Sequence, residues 1–178
     1  MNEGKRAMLA HFLGALAYRT QKALKGAPED FARFEAGNLA RTPKELVRHM
    51  TSVLGYARTR FRGGSYRPEP VPSFQDEVRR FHSMLADLAE HLEAGDDLVG
   101  TTPEQLLQGP FSDAMTHAGQ LAMLRRLHGS PIPPENFMVA DIDPSNVSED
   151  QASPRSPDSV WPERLEGSGA EDQPTSRR

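Results

Sequence analysis

Apolar residues recur over the first 130 positions at three- and four-residue spacings, and prolines and glycines cut that pattern into helical blocks. In the first block Leu9, Phe12, Leu13 and Leu16 fall at i, i+3, i+4 and i+7, which predicts a helix over about 5–25, with Gly26 placed to stop it. Thr42-Pro43-Lys44-Glu45 reads as a capping box with proline at the first helical position. The helix it opens reaches about Arg62, burying Leu46, Met50, Val53, Leu54, Ala57 and Phe61, and stops at Gly63-Gly64. Residues 65–72 carry three prolines and form a crossover loop. Ser73-Phe74-Gln75-Asp76 opens a third helix whose apolar set, Phe74, Val78, Phe81, Leu85, Leu88 and Leu92, makes the seam of an antiparallel bundle before Gly95 closes it. Thr102-Pro103-Glu104-Gln105 starts a short helical turn, and Gly109-Pro110 begins a fourth long helix that runs to about His128. That helix is apolar on more than one side, through Phe111, Met115, Leu121, Ala122, Leu124 and Leu127, and is expected to be the most buried. No run alternates with the period of a strand. The expectation is an all-α four-helix bundle over 1–140.

Beyond residue 140 the pattern ends. Residues 141–178 hold 4 Lys/Arg and 9 Asp/Glu among Pro, Ser and Gly, with Val160, Trp161 and Leu165 as isolated apolar residues, so this stretch reads as a disordered acidic tail. Ser159-Val160-Trp161-Pro162 reads either as a point of contact or, the favoured reading, as a lone tryptophan without a partner. Removing the tail from the count leaves 17 basic and 16 acidic residues in the bundle, although the whole chain carries −4. A nearly neutral fold argues against a surface that tracks nucleic-acid phosphates. With no cysteine there is no disulfide, thiolate metal site or cysteine nucleophile, and any metal must be held by His and carboxylate. Lys5 and Arg6 before the apolar stretch 8–17 imitate a secretory signal, but His11 interrupts it, Glu3 precedes it and the helical pattern continues past it. No segment approaches the ~20 apolar residues of a membrane span. A cytoplasmic protein is expected.

Of the six histidines, His11 and His91 point away from their apolar stripes, His128 falls in a last helical turn that favours a cation, and His82 edges the core of the third helix. His49 borders the stripe of the second helix, one turn from Leu46 and Val53, with Tyr56 and Arg60 further along that border. Asp113 and His117 stand at i, i+4, stacked on one face of the fourth helix with Gln120 beside them. Such a pair can chelate one ion, and His49 from a facing helix would complete two imidazoles and a carboxylate, a set suited to Zn, Fe, Ni or Mn with positions left open. The same spacing also fits an Asp–His surface pair and an unrelated core-edge histidine.

Read in order, Arg41 to Met50, Asp113 to Leu121 around His117-Ala118-Gly119-Gln120, Gly129-Ser130-Pro131 and Glu135-Asn136-Phe137 resemble the DinB/YfiT-like metalloenzyme superfamily over about three quarters of the chain. The resemblance implies a bundle whose metal is held by one histidine from the second helix and a His-x-x-x-His pair from the fourth. Carried across, the ligands are His49, Asp113 and His117. Asp113 departs from the histidine most members have, and the thiol-dependent isomerase branch uses a carboxylate there. Gln120 then serves as a partner of the ligands or as a contact for cofactor or substrate. The implied function is a metal-dependent enzyme of the thiol transferase or isomerase type, with one divalent ion, a low-molecular-weight thiol and a small-molecule substrate. The alternative is a non-catalytic scaffold or stress-linked binding protein with a degenerate site. A symmetric homodimer is expected, with Phe31 and Phe34 among exposed apolar residues at its edges.

Overall fold

The structure is a computed structural model that describes residues 1–155 and 157. Four long helices form the protein: α1 (Glu3–Leu24), α2 (Pro43–Arg62), α3 (Phe74–Ala94) and, after the single turn α4 (Pro103–Leu106), α5 (Ser112–Leu127). Among the described residues there is no strand; one isolated bridge joins Glu135 to Pro157. No described helix is long and apolar enough to cross a membrane.

The helix starts follow local chemistry. Thr42 and Glu45 cap each other at the start of α2, as do Ser73 and Asp76 at α3 and Thr102 and Gln105 at α4, each pair satisfying amides that the first turn leaves free. The Asn2 side chain accepts from the Lys5 amide at 2.9 Å, so α1 begins two residues earlier than its apolar pattern suggests. Gly95, in the left-handed region at φ 80, ends α3. Between α4 and α5 the helix is broken by a wide turn, Leu107–Phe111, where Gly109 leaves helical geometry and Pro110 cannot donate. That turn sets the rotation of α5 and so the direction in which Asp113 and His117 point.

α1 packs against α3 and α5, and α2 packs against the same two, so the sequential helices α1 and α2 stand diagonally across the bundle. The long crossing between them contains a 3-10 turn, Glu29–Arg33. Leu13, Leu16, Met50, Leu54, Phe81, Leu85, Leu88, Phe111 and Leu121 meet at the centre with essentially no exposure. The expectation that the last helix is the most buried is not met: α1 buries more of its residues, while Met123 and Leu127 of α5 are over half exposed. The second apolar side of α5 faces an open cleft rather than a fifth element.

Phe31 is not an exposed edge residue. It is fully buried by the 3-10 turn, its ring meeting the edge of His128 at 5.6 Å with the Arg125 guanidinium at 5.5 Å, so it cannot seat a second copy. His91 is likewise buried, not outward. Its ring stacks on Phe61 at 5.0 Å and its Nδ1 meets Asp96 at 2.5 Å, because the end of α2 covers a face that α3 alone would leave open. His82 is a core-edge residue as expected, and His128 pairs with Asp30 at 3.2 Å.

The packed chain also continues past residue 140. Val147 is 8% exposed, its carbonyl lies 2.7 Å from His82 Nδ1, and Asp143 crosses α1 so closely that a Cβ on Gly14 would stand 2.7 Å from its carbonyl oxygen. Asp143 caps the Ser145 amide at 2.8 Å and Asn146 the Ser148 amide at 3.1 Å. The segment satisfies its backbone through these local turns and needs little apolar mass to lie on the bundle. The remainder of the expected tail, with Trp161 and its neighbours, lies outside the described residues.

Candidate metal centre

α2 and α5 are packed neighbours, and their contact brings together the three residues that the sequence singles out. One ligand atom from each of His49, Asp113 and His117 lies within 4.8 Å of the others, and among the described residues no other group of three His or acid side chains does so. His117 Nε2 stands 3.3 Å from Asp113 Oδ1. The His49 and His117 rings meet edge to face with centroids 4.8 Å apart. Two ligands on a tetrahedral ion with bonds of ~2.0–2.1 Å are about 3.3 Å apart, so the Asp113–His117 separation already fits.

Burial is graded across the site. His117 is buried, His49 is half-buried and Asp113 is exposed, so the site opens on the carboxylate side. The Nδ1–H of His117 donates to Gln120 Oε1 at 2.8 Å. That bond turns Nε2 toward Asp113, where it is buried and forms no hydrogen bond. A lone pair facing a carboxylate is repulsive unless a proton or a cation lies between them. The three side chains could hold a metal ion here.

His49 has its pKa pushed below the ordinary imidazole value, first by burial, then by the Arg41 and His117 charges, with Asp113 opposing. It is thus held neutral, the form that ligates. Tyr56 and Arg60, further along the border that carries His49, bond to each other, with the guanidinium 4.5 Å over the Tyr56 ring. What the sequence reading missed is the wall around His49: Arg41, Arg48, Ser52 and Arg67 line the same cavity of about 390 Å³. Arg48 is His49's chain neighbour on α2. Arg67 comes from the proline-rich loop, and nothing in its local sequence indicates where that loop folds.

Comparison with family models, with curated proteins and with solved structures finds no match for the chain.

Proposed function

We propose that this protein is a divalent-metal-dependent enzyme of the DinB/YfiT-like type, with His49, Asp113 and His117 as ligands and Gln120 as the residue that orients His117. The observation that carries the reading is the buried Nε2 of His117, without a hydrogen bond while its Nδ1 is occupied, facing a carboxylate at 3.3 Å and a second imidazole. A divalent ion held there would supply Lewis acidity, lowering the pKa of a coordinated thiol or water. The chain's own part is to hold His49 neutral, to orient His117 through Gln120, to partly offset the ion's charge with Asp113, and to leave the exposed side of Asp113 for an incoming small molecule.

A second reading, a helical scaffold without metal, draws on the half exposure of the Asp113 side chain and on its own ion pair with His117. Metal analysis separates the two. Protein purified without an affinity tag should carry or take up one equivalent of Zn, Ni, Fe or Mn, and Asp113→Ala and His117→Ala should lose it with the helical content unchanged. Stoichiometric uptake by the double variant, or no uptake by the parent protein, leaves the scaffold reading.

A further inference from the structure

The cavity over His49 has a charge pattern that metal binding alone leaves unused. Six arginines of the bundle are committed: Arg58 and Arg62 pair with Asp87, Arg79 with Asp76 and Arg80 with Glu77, while Arg6 and Arg125 donate to backbone carbonyls. Arg41, Arg48 and Arg67 differ. Among the described residues they form no ion pair or hydrogen bond, yet all three line this one cavity of about 390 Å³. The acid on the same wall, Glu45, accepts from the amide and the hydroxyl of Thr42 at 2.9 Å each and also feels the charges of Arg41 and Arg48, so it offsets one of the three guanidinium charges. The wall keeps a net positive charge, and the planar fork of each arginine matches a carboxylate.

A second cavity, of about 560 Å³, lies on the other side of the ridge Leu39 to Arg41. Its wall is mostly apolar, with Leu46, Met123, Leu124 and Leu127, and Gln120 reaches it from the metal site. Leu39 on the ridge is fully exposed, and both Asn38 and Leu39 hold left-handed backbone at φ 51 and 60. Two consecutive left-handed residues other than glycine are uncommon, and Leu39, Met123 and Leu127, all more than half exposed, make an apolar patch along this lobe.

We propose that the two lobes form one binding site for a small organic anion with an apolar body. Its carboxylate sits among Arg41, Arg48 and Arg67, and its apolar part crosses Leu39 onto Met123 and Leu127. The inference rests on the metal reading in making this anion the substrate or co-substrate of that centre, but its binding is tested without the ion.

Hexanoate, acetate and 1-hexanol are titrated into the full chain, metal-free and zinc-loaded, with amide chemical shifts as the readout so that millimolar affinity is measurable. Hexanoate should bind the metal-free chain more tightly than either acetate or 1-hexanol and should shift amides in both lobes. Arg41→Gln and Arg48→Gln should each weaken it about tenfold, the loss of one charge-assisted bond. Leu127→Ser should weaken hexanoate and leave acetate unchanged. Arg33→Gln, an exposed arginine outside both lobes, should change nothing. Equal binding of hexanoate and 1-hexanol, undetectable hexanoate binding, or full binding by the Arg41→Gln/Arg48→Gln/Arg67→Gln variant would each overturn the proposal. Arginine-dependent hexanoate binding in a chain that takes up no zinc would keep the anion site and reject the metal reading. Stoichiometric zinc without hexanoate binding would do the reverse.

Discussion

The Nδ1–H of His117 and the side-chain oxygen of Gln120 lie 2.8 Å apart one turn along the same helix, and this bond decides which ring nitrogen of His117 faces Asp113. A ligating imidazole that donates from its other nitrogen is held in one orientation and made more basic. Gln120→Ala should therefore weaken zinc binding about tenfold or more, in competition with a chromophoric chelator, while thermal stability changes little. Gln120→Glu should retain or tighten binding. If both substitutions leave the affinity untouched, the bond has no part in a metal site.

His82 supplies a pH test independent of any metal. Burial pushes its pKa below the ordinary 6.5, with the bond to the Val147 carbonyl opposing. Its folded value is depressed, so the unfolded chain takes the proton first. Stability is then full above 6.5 and falls as pH drops from there through the folded value. Thermal midpoints recorded downward from pH 7 should decline, and His82→Gln should flatten part of that decline. A variant that declines as steeply as the parent would assign the effect to other groups.

Much of the fold was legible because its punctuation is local. Pro43 after Thr42, Asp76 after Ser73, and Gly95 carry their structural consequence within a few residues, and the α2 and α3 boundaries follow from them. The grouping of His49, Asp113 and His117 was legible only in part: Asp113 and His117 share a helix and His49 borders an apolar stripe, but that spacing fits a surface pair and an unrelated core-edge histidine as well, and the family resemblance was what joined the three. Burial that depends on a distant segment was not legible. His91 is covered by the end of α2, Phe31 is turned inward by a 3-10 turn, and Val147 docks through a carbonyl on His82. The arginine wall fails to show in sequence because Arg41, Arg48 and Arg67 belong to two different segments that only tertiary packing brings together.

Glu135 anchors the chain after α5 to α1. Its carboxylate receives the Tyr18 hydroxyl at 2.7 Å and the Lys22 ammonium at 2.7 Å, with both ionised side chains almost wholly buried. Burial first, and the Glu135 bond next, raise the Tyr18 pKa far above its ordinary value, so the phenol stays a donor. Removing one charge of a buried pair strands the other, which costs about 3–5 kcal/mol. Glu135→Gln should approach that loss in urea unfolding. Lys22→Met/Glu135→Gln should be less destabilised than Glu135→Gln alone, because no charge is then stranded. Strict additivity of the single effects would show that the pair is not coupled.

Gly55, in the middle of α2, is buried because the Tyr66 ring lies directly on its backbone, and a Cβ built there would overlap the ring at Cδ1 and Cγ. Replacing a helical glycine with alanine ordinarily stabilises by about 1 kcal/mol. Gly119 offers that ordinary case within the same protein, being exposed in α5 with nothing within 4 Å of its missing Cβ. Gly119→Ala should therefore raise the unfolding free energy by about 0.5–1 kcal/mol. Gly55→Ala should lower it by about 1–3 kcal/mol, since overpacking outweighs the gain in propensity. The effect should extend beyond stability. Tyr66 also lies 4.9 Å beneath the Arg58 guanidinium and directly precedes Arg67 in the loop that closes the cavity over His49. Displacing the ring moves that loop, so Gly55→Ala should also weaken hexanoate binding while leaving zinc uptake intact. Adding Tyr66→Ala should make the Gly55→Ala substitution less destabilising than it is in the parent protein, because the overlapping ring is gone. If Gly55→Ala stabilises as Gly119→Ala does, the ring is not seated there and the loop that carries Arg67 is not fixed by this contact.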